Sequence, residues 1–157
     1  MKVQDIMIRT PQSCNRNANL AVVVEAMWAG YCGSLPVVDE AGKVVGMLTD
    51  RDICIALGTR NQPASEITAR EVVSGHLFAC APNDEIHQAL ETMKAQKIRR
   101  LPVLDKAGKL QGILCLNDLA LHAEKQVGKK VPDLSYEDVV ETLKAICEHR
   151  LPLAAAA

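Results

Sequence analysis

Residues 35–54 read LPVVDEAGKVVGMLTDRDIC, and residues 101–120 read LPVLDKAGKLQGILCLNDLA. The two stretches are identical at ten of twenty positions, whereas unrelated stretches of ordinary composition would agree at about one or two. The offset between them is 101 − 35 = 66 residues, and it continues upstream without a gap. The chain of 157 residues therefore contains an internal duplication.

The upstream part of each repeat predicts a short strand followed by an amphipathic helix. Residues 12–14 and 77–80 are the predicted leading strands. Asn17 is the expected helix cap in the first repeat, and Asn83 or Asp84 in the second. Apolar residues then recur at the i, i+3, i+4, i+7 spacing of one helix face, at Leu20, Val23, Val24 and Met27 and again at Ile86, Ala89, Leu90 and Met93.

The duplicated stretches themselves predict a β-hairpin followed by a second helix. β-branched runs flank EAG in the first repeat, where Gly42 can adopt the positive φ that closes a tight loop. The runs DICIAL and DLALHA then favour helices, the first of which we expect to end at Gly58. The predicted fold class is α+β, with two β-α-β-β-α repeats packed with approximate twofold symmetry and a further C-terminal helix.

The chain divides into three predicted parts. Residues 1–62 form the first repeat, residues 63–125 the second, and residues 126–157 a loop, a helix and a tail. Ser135 and Asp138 have the spacing of a capping box at the start of that helix. The Ala-rich end LPLAAAA is expected to fray. The apolar face of the helix is predicted at Val139, Leu143, Ile146 and Cys147.

Composition excludes several classes of partner. The net charge is −1 with both signs interspersed, so the chain lacks the basic footprint of a nucleic-acid or anionic-membrane binder. Aromatic residues make up 3%, which leaves few rings to stack on bases. No run of about 18 apolar residues occurs, and the first residues lack the apolar segment of a signal peptide. We therefore expect a cytoplasmic protein.

Catalytic and metal-binding patterns are also missing from the sequence. The six cysteines contain no C-x-x-C pair and lie mostly among apolar neighbours, so we expect buried free thiols. The four histidines lack the short spacings of zinc ligands. No phosphate-binding loop or nucleophile-and-base arrangement is recognisable. The chain is not expected to be an enzyme.

The duplicated pattern, with its P-V, D-x-x-G-K and T-x-x-D elements, resembles a tandem pair of cystathionine-β-synthase (CBS) domains over roughly residues 1–125. The resemblance implies a regulatory module that binds adenosine compounds such as AMP, ATP, NAD or S-adenosylmethionine in clefts between the repeats, with no obligatory cofactor. It also implies a homodimer that passes a signal to an effector protein.

The resemblance assigns ligand contacts to Thr49 and Asp52. A carboxylate only accepts hydrogen bonds, so Asp52 suits the two hydroxyls of a ribose, while the Thr49 hydroxyl can donate to a phosphate. Thr49-x-x-Asp52 is equally a capping box. The second repeat keeps Asp118 but replaces the threonine by Cys115, a poor cap and a weak donor, which favours the ligand role and predicts a weaker second cleft.

Basic and apolar residues complete the predicted clefts. Arg99 and Arg100 precede the second LPV element, where small residues stand in the first repeat, and they suit the phosphate end of either cleft. Core packing explains the apolar residues nearly as well as a role in binding adenine. The predicted adenine walls are Leu35, Pro36, Leu101 and Pro102.

Two hypotheses from other classes stay open. In the first, the module serves only oligomerisation and its clefts are vestigial, as the change to Cys115 suggests. In the second, the chain is a thiol-based redox sensor that uses Cys32 or Cys115.

Overall fold

The computed structural model describes residues 1–73, 76–128 and 131–148. It confirms the α+β class predicted from the repeats. The helices are α1 (Val3–Ile6), α2 (Leu20–Ala29), α3 (Asp50–Arg60), α4 (Ala69–Val72), α5 (Ile86–Gln96), α6 (Leu116–His122) and α7 (Tyr136–Cys147), with a 3-10 turn at Ala64–Glu66. The strands are β1 (Ile8–Arg9), β2 (Cys14–Asn15), β3 (Ser34–Val38), β4 (Val44–Thr49), β5 (Arg100–Leu104) and β6 (Leu110–Cys115).

The strands form two three-stranded sheets, one for each repeat. The first has the order β2-β3-β4 and the second the order β1-β6-β5. In both hairpins the loop closes as predicted, because Gly42 and Gly108 have φ values of 77° and 79°. Lys43 and Lys109, which are 66 positions apart, form an antiparallel bridge between the two hairpin loops. The symmetry-related loops therefore meet each other.

The leading segments of the two repeats are exchanged. Val3 of α1 packs in the core of the second repeat, whereas Ile67 and Ala69 pack in the core of the first. The backbone follows the same rule: Leu20 donates its N–H to the carbonyl of Ile67 at 2.9 Å, and Ile86 donates to that of Met1 at 3.0 Å. Each core thus contains residues from the leading segment of the other repeat. The two halves are related by a pseudo-twofold axis.

The expected helix caps were wrong. Asn19 caps α2, its side chain accepting a hydrogen bond from the N–H of Val22 at 3.1 Å. Asn17 instead donates to the carboxylate of Glu40 at 2.6 Å. In the second repeat the cap position is Glu85. Several polar residues precede each helix, and the sequence does not show which of them occupies the N-cap position.

Two element bounds also differ from expectation. Helix α3 continues through Gly58 to Arg60, and Asn61 follows in the left-handed conformation with φ 51°. A glycine at an exposed helical position lowers stability without ending the helix. The leading strands are shorter than predicted: β2 is Cys14–Asn15, and its counterpart is the single bridge of Cys80 with Val103.

Helix α7 begins with the predicted capping box. The Ser135 hydroxyl accepts a hydrogen bond from the Asp138 N–H at 3.1 Å, and the Asp138 carboxylate accepts from the Ser135 N–H at 2.8 Å. The helix packs against α5 and α6. Its buried face is rotated from the predicted one, because Thr142 is fully buried and Leu143 is 40% exposed.

The predicted tail LPLAAAA lies outside the described residues. Within the described ranges, no helix combines the length and apolarity needed to cross a membrane.

Candidate functional site

The first candidate cleft lies at the N-terminus of α3. The carboxylate Oδ2 of Asp52 accepts hydrogen bonds from the Thr49 N–H at 2.9 Å and from the Thr49 hydroxyl at 2.7 Å. The Thr49 Oγ1 in turn accepts from the Asp52 N–H at 3.2 Å. The capping box is therefore complete. Among the described residues nothing is bonded to Oδ1 of Asp52, so this oxygen is available as an acceptor.

The second candidate cleft lies at the N-terminus of α6, where Cys115 and Asp118 keep the capping-box arrangement but the cap residue makes no side-chain hydrogen bond. Asp118, 8% exposed, accepts a hydrogen bond from the Cys115 N–H at 2.7 Å. The thiol of Cys115 provides no cap in return. The bond that both repeats share is the one made by the aspartate to the backbone. Retention of Asp118 is therefore explained by capping as well as by ligand binding, and the ligand role needs other support.

Cys115 lies in an environment that keeps its thiol protonated. The pKa of Cys115 is raised to about 11, chiefly by burial and also by the Asp118 carboxylate, while the guanidinium of Arg100 opposes both effects. Since the reactive species of cysteine is the thiolate, this environment argues against a redox sensor based on Cys115. Cys32 is half-buried, and the same hypothesis stays a prediction there.

The strand register separates the two arginines. Arg100 is paired with Cys115 across the β5–β6 hairpin, so the structure brings Arg100, Cys115 and Asp118 together. Arg99 lies just before β5 and has no partner in the hairpin register. It is exposed, and its carbonyl accepts a hydrogen bond from the Leu116 N–H at 2.9 Å.

Ser34 is a candidate cleft residue that the sequence did not reveal. It is paired with Thr49 across the β3–β4 hairpin, the position that Arg100 has in the other repeat. Its side chain is 4% exposed, and its hydroxyl has no hydrogen-bond partner among the described residues. Buried polar groups are nearly always paired. The signal was a small hydroxyl residue opposite Thr49, which becomes visible only once the register is known.

The apolar residues predicted as adenine walls divide between two sides of the sheets. Leu35 and Leu101, 1% and 0% exposed, belong to the hydrophobic cores. Pro36 and Pro102 are buried on the opposite side of their strands, the side that Ser34 and Arg100 share. The prolines are therefore better placed than the leucines to contact a ligand, and wall contacts remain a prediction for all of them.

A small polar pocket of about 200 Å³ lies beside Asp52, between α3 and α4. Arg60 and Glu71 form an ion pair across it at 3.6 Å. Hydrogen bonds from Thr68 hold the pKa of the Glu71 carboxyl below its usual value. Because α4 leads the second repeat, the pocket of the first repeat contains residues of both. In the described part of the chain, no group of three or more potential metal ligands is present.

Comparison with known proteins identifies the family. The CBS domain matches the chain twice, at residues 3–59 and 66–125. The chain belongs to the CBS domain family. Its relatives include the CBS domain-containing protein YhcV of Bacillus subtilis, which is 33% identical over 143 residues, covering 87% of this chain and 97% of YhcV.

Solved CBS structures show the same fold. Hypoxic Response Protein I, solved with two coordinated zinc ions, is 27% identical with a TM-score of 0.73, covering 79% of this chain and all of that one. The CBS domain pair of protein MJ0100, solved in complex with 5'-methylthioadenosine and S-adenosyl-L-methionine, is 25% identical with a TM-score of 0.69. That comparison covers 77% of this chain and 98% of the pair.

Proposed function

We propose that this CBS pair is a regulatory module that binds an adenosine-containing ligand in each of its two clefts. The observation that carries the proposal is the buried hydroxyl of Ser34, which lacks a protein partner among the described residues and lies opposite Thr49. Leaving such a group unpaired costs about 1–3 kcal/mol. A bound ligand would remove that cost, and the ligands of the MJ0100 pair support an adenosine compound.

Asp52 and Asp118 are the proposed ribose acceptors. Each carboxylate is held by the N–H of the helix-capping residue, Thr49 or Cys115. This bond fixes the carboxylate before a ligand arrives, so little side-chain entropy is lost on binding. Pro36 and Pro102 then lie on the side of the sheets proposed for adenine.

The two clefts are proposed to differ at the phosphate end. The first offers the neutral hydroxyl of Ser34, since the Thr49 hydroxyl already donates its hydrogen to Asp52 at 2.7 Å, and the second offers the guanidinium of Arg100 beside the poor donor Cys115. Arginine forms charge-assisted, bidentate hydrogen bonds to phosphate. We therefore propose the Arg100 cleft for AMP, ATP or NAD and the Ser34 cleft for adenosine compounds with less charge. The sequence predicted that a phosphorylated ligand binds more weakly in the second cleft, because Cys115 is a poor donor. Assigning Arg100 to that cleft reverses this order of affinities.

The output of the module is proposed to be a conformational signal to an effector protein. The exchanged leading segments support this role, because a ligand beside α3 and α4 contacts both repeats at once. No chemical step is assigned to the chain. The cytoplasm is the proposed location, since all six cysteines are free thiols and such thiols persist in reducing compartments.

Titration calorimetry with AMP tests the proposal. The paired variants Asp52→Asn and Asp118→Asn keep an oxygen that accepts from the capping N–H but remove carboxylate character toward the ligand. The wild-type protein should bind AMP, and the double variant should lose at least about a hundredfold in affinity. Absence of binding to the wild type, or unchanged binding to a folded double variant, would make the clefts vestigial.

A further inference from the structure

Helix α7 exposes an apolar side in addition to the one that it buries. Its Val139 and Ile146 pack against the core of the second repeat. Four other residues recur at the i, i+4, i+7, i+11 spacing that places them together on a different side of the helix. This side is the outer face of α7, and it consists of Tyr136, Val140, Leu143 and Cys147. Tyr136 and Val140 are 55% and 53% exposed, and Cys147 is exposed as well.

A continuous row of exposed apolar side chains is unusual on the surface of a globular protein. Single ones are ordinary, and Leu121 of α6, 82% exposed, is an example. The outer face of α7 instead extends along about 16 Å of helix, at a rise of about 1.5 Å per residue. A surface helix normally turns one apolar side to the core and presents polar residues to water. The second apolar side of α7 therefore indicates a contact surface.

Helix α7 is joined to the helix that carries the second candidate cleft. Asp118 lies in the first turn of α6, and Glu124 lies just beyond the end of that helix. The Glu124 N–H donates to the carbonyl of Leu134 at 2.9 Å, and the Tyr136 N–H donates to the carbonyl of Glu124 at 3.2 Å. Helix α7 also packs along α6. A shift of α6 on ligand binding at Asp118 is therefore transmitted to the start of the outer face.

The helix extends one repeat only. The CBS domain matches end at residues 59 and 125, and α7 begins after the second of them. In the first repeat, the segment that follows α3 is the 3-10 turn and then α4, whose Ala69 packs in the core of that repeat. Among the described residues, the outer face of α7 thus has no counterpart beside the first cleft.

The charges beside the outer face favour a basic partner. Glu137 and Glu141 directly follow Tyr136 and Val140 in the chain, so they lie along one edge of this face. Both are exposed, and neither has an ion-pair partner among the described residues. The one basic residue of the helix is Lys144. An acidic edge beside an apolar row complements a segment that has basic side chains beside apolar anchors, and it disfavours an anionic membrane surface.

We infer that the outer face of α7 is the surface through which an effector protein reads the second cleft, and that the docked segment is a basic amphipathic helix. The apolar row provides the anchoring contacts, and Glu137 and Glu141 select the charge of the partner. The link through α6 makes the affinity of this surface depend on the ligand. The ligand dependence rests on the proposed regulatory function, whereas the docking surface is separate from both clefts.

The test uses a fluorescently labelled peptide of about 14 leucine and lysine residues arranged as an amphipathic helix. A peptide with glutamate in place of each lysine is the charge control. Val140→Lys places a charge in the outer face, and Val22→Lys is the matched control, because Val22 of α2 is also 53% exposed. The double variant Glu137→Gln and Glu141→Gln removes the acidic edge and keeps the side-chain length.

Fluorescence anisotropy measures the affinity of the full chain for each peptide. We expect the leucine-lysine peptide to bind the wild type and Val22→Lys alike, and Val140→Lys to raise its dissociation constant at least about tenfold. The glutamine variant should bind this peptide more weakly and with less dependence on salt. The glutamate peptide should not bind.

Equal binding of the two peptides, or equal affinities of Val140→Lys and Val22→Lys for the leucine-lysine peptide, would overturn the inference. Self-association of the wild type that Val140→Lys alone abolishes would also overturn it, because the occupant would then be a second copy. So would peptide binding that begins only when residues 149–157 are removed, because the occupant would then be the chain's own end.

Addition of AMP separates this inference from the proposed function. Saturating AMP should change the dissociation constant of the leucine-lysine peptide by about fivefold or more in the wild type, and Asp118→Asn should abolish that change. If calorimetry shows AMP bound in the second cleft but the peptide affinity stays constant, the coupling through α6 is wrong and the proposed function stands. Peptide binding by a protein that binds no AMP would support the docking surface and contradict the proposed function.

Discussion

The two repeats have one fold but differ at the candidate cleft and at the helix surface beside it. In the first repeat the candidate cleft has Ser34 and Thr49, and the apolar groove between α2 and α3 is open. In the second repeat the candidate cleft has Arg100 and Cys115, and α7 packs over α5 and α6. Most core positions are apolar and buried in both repeats, but the predicted core residue Val24 is 43% exposed whereas its counterpart Leu90 is 2% exposed. Duplication has therefore kept the scaffold and changed what each half presents to a ligand or a partner.

The largest expected effect concerns the segment that leads into α7, the helix that packs over α5 and α6. Leu134, just before α7, is 1% exposed and packs in the core of the second repeat. Leu134→Ala should lower the free energy of unfolding by about 2–5 kcal/mol, because a cavity remains. Denaturant unfolding measures the change, with Leu121→Ala expected to stay within about 0.5 kcal/mol. Equal, small effects would show that the α7 region is not part of this core.

The next effect separates the two arginines. Arg100→Ala should weaken AMP binding about tenfold to a hundredfold, the range for loss of a charge-assisted hydrogen bond, whereas adenosine binding should change little. Arg99→Ala is the matched control from the neighbouring position and should leave both affinities near wild type. If calorimetry finds the larger loss of AMP affinity for Arg99→Ala, the assignment of Arg100 to the phosphate end of the cleft is wrong.

A smaller effect concerns the incomplete helix cap. Cys115→Thr should add the side-chain hydrogen bond that the thiol does not make at the start of α6 and stabilise the protein by up to about 1 kcal/mol. Thr49→Cys should destabilise it by a similar amount, since it breaks the complete box of α3. Urea unfolding of both variants provides the comparison. Destabilisation by Cys115→Thr would indicate that the buried site cannot accept the hydroxyl.

The smallest effect is the pH dependence of the α7 cap. Burial raises the pKa of Asp138, but hydrogen bonds from Ser135 and the nearby His87 outweigh it and hold the pKa below its usual value. A lowered carboxyl pKa gives stability above the unfolded value of about 4, and this stability is lost as the pH falls through the folded value. Asp138→Asn should therefore lower Tm at pH 7, and this deficit should disappear as the pH falls through the folded pKa of Asp138. Glu137→Gln is the control, and an Asp138→Asn deficit that persists in acid would contradict this origin.

The scaffold was predictable because it depends on repeated local patterns. The spacing of Leu20, Val23 and Met27 and the loop glycine Gly42 each have a direct structural consequence. The exchange of leading segments was not predictable, since the few apolar residues around Val3 fit either core. Ser34 and Arg100 became candidate cleft residues only through their pairing with Thr49 and Cys115. The register between paired strands decides which residues face each other, and a single sequence does not contain that register.

The difference between the clefts is tested most directly by titrating adenosine and AMP into two variants that each retain one cleft. Asp52→Asn leaves the Arg100 cleft and Asp118→Asn leaves the Ser34 cleft. We predict that the Asp52→Asn protein prefers AMP over adenosine by about tenfold or more, from the charge-assisted contact with phosphate, and that the Asp118→Asn protein shows little preference. An equal preference in both variants, or a stronger preference for AMP in the Asp118→Asn protein, would contradict the assignment of the phosphate end to Arg100.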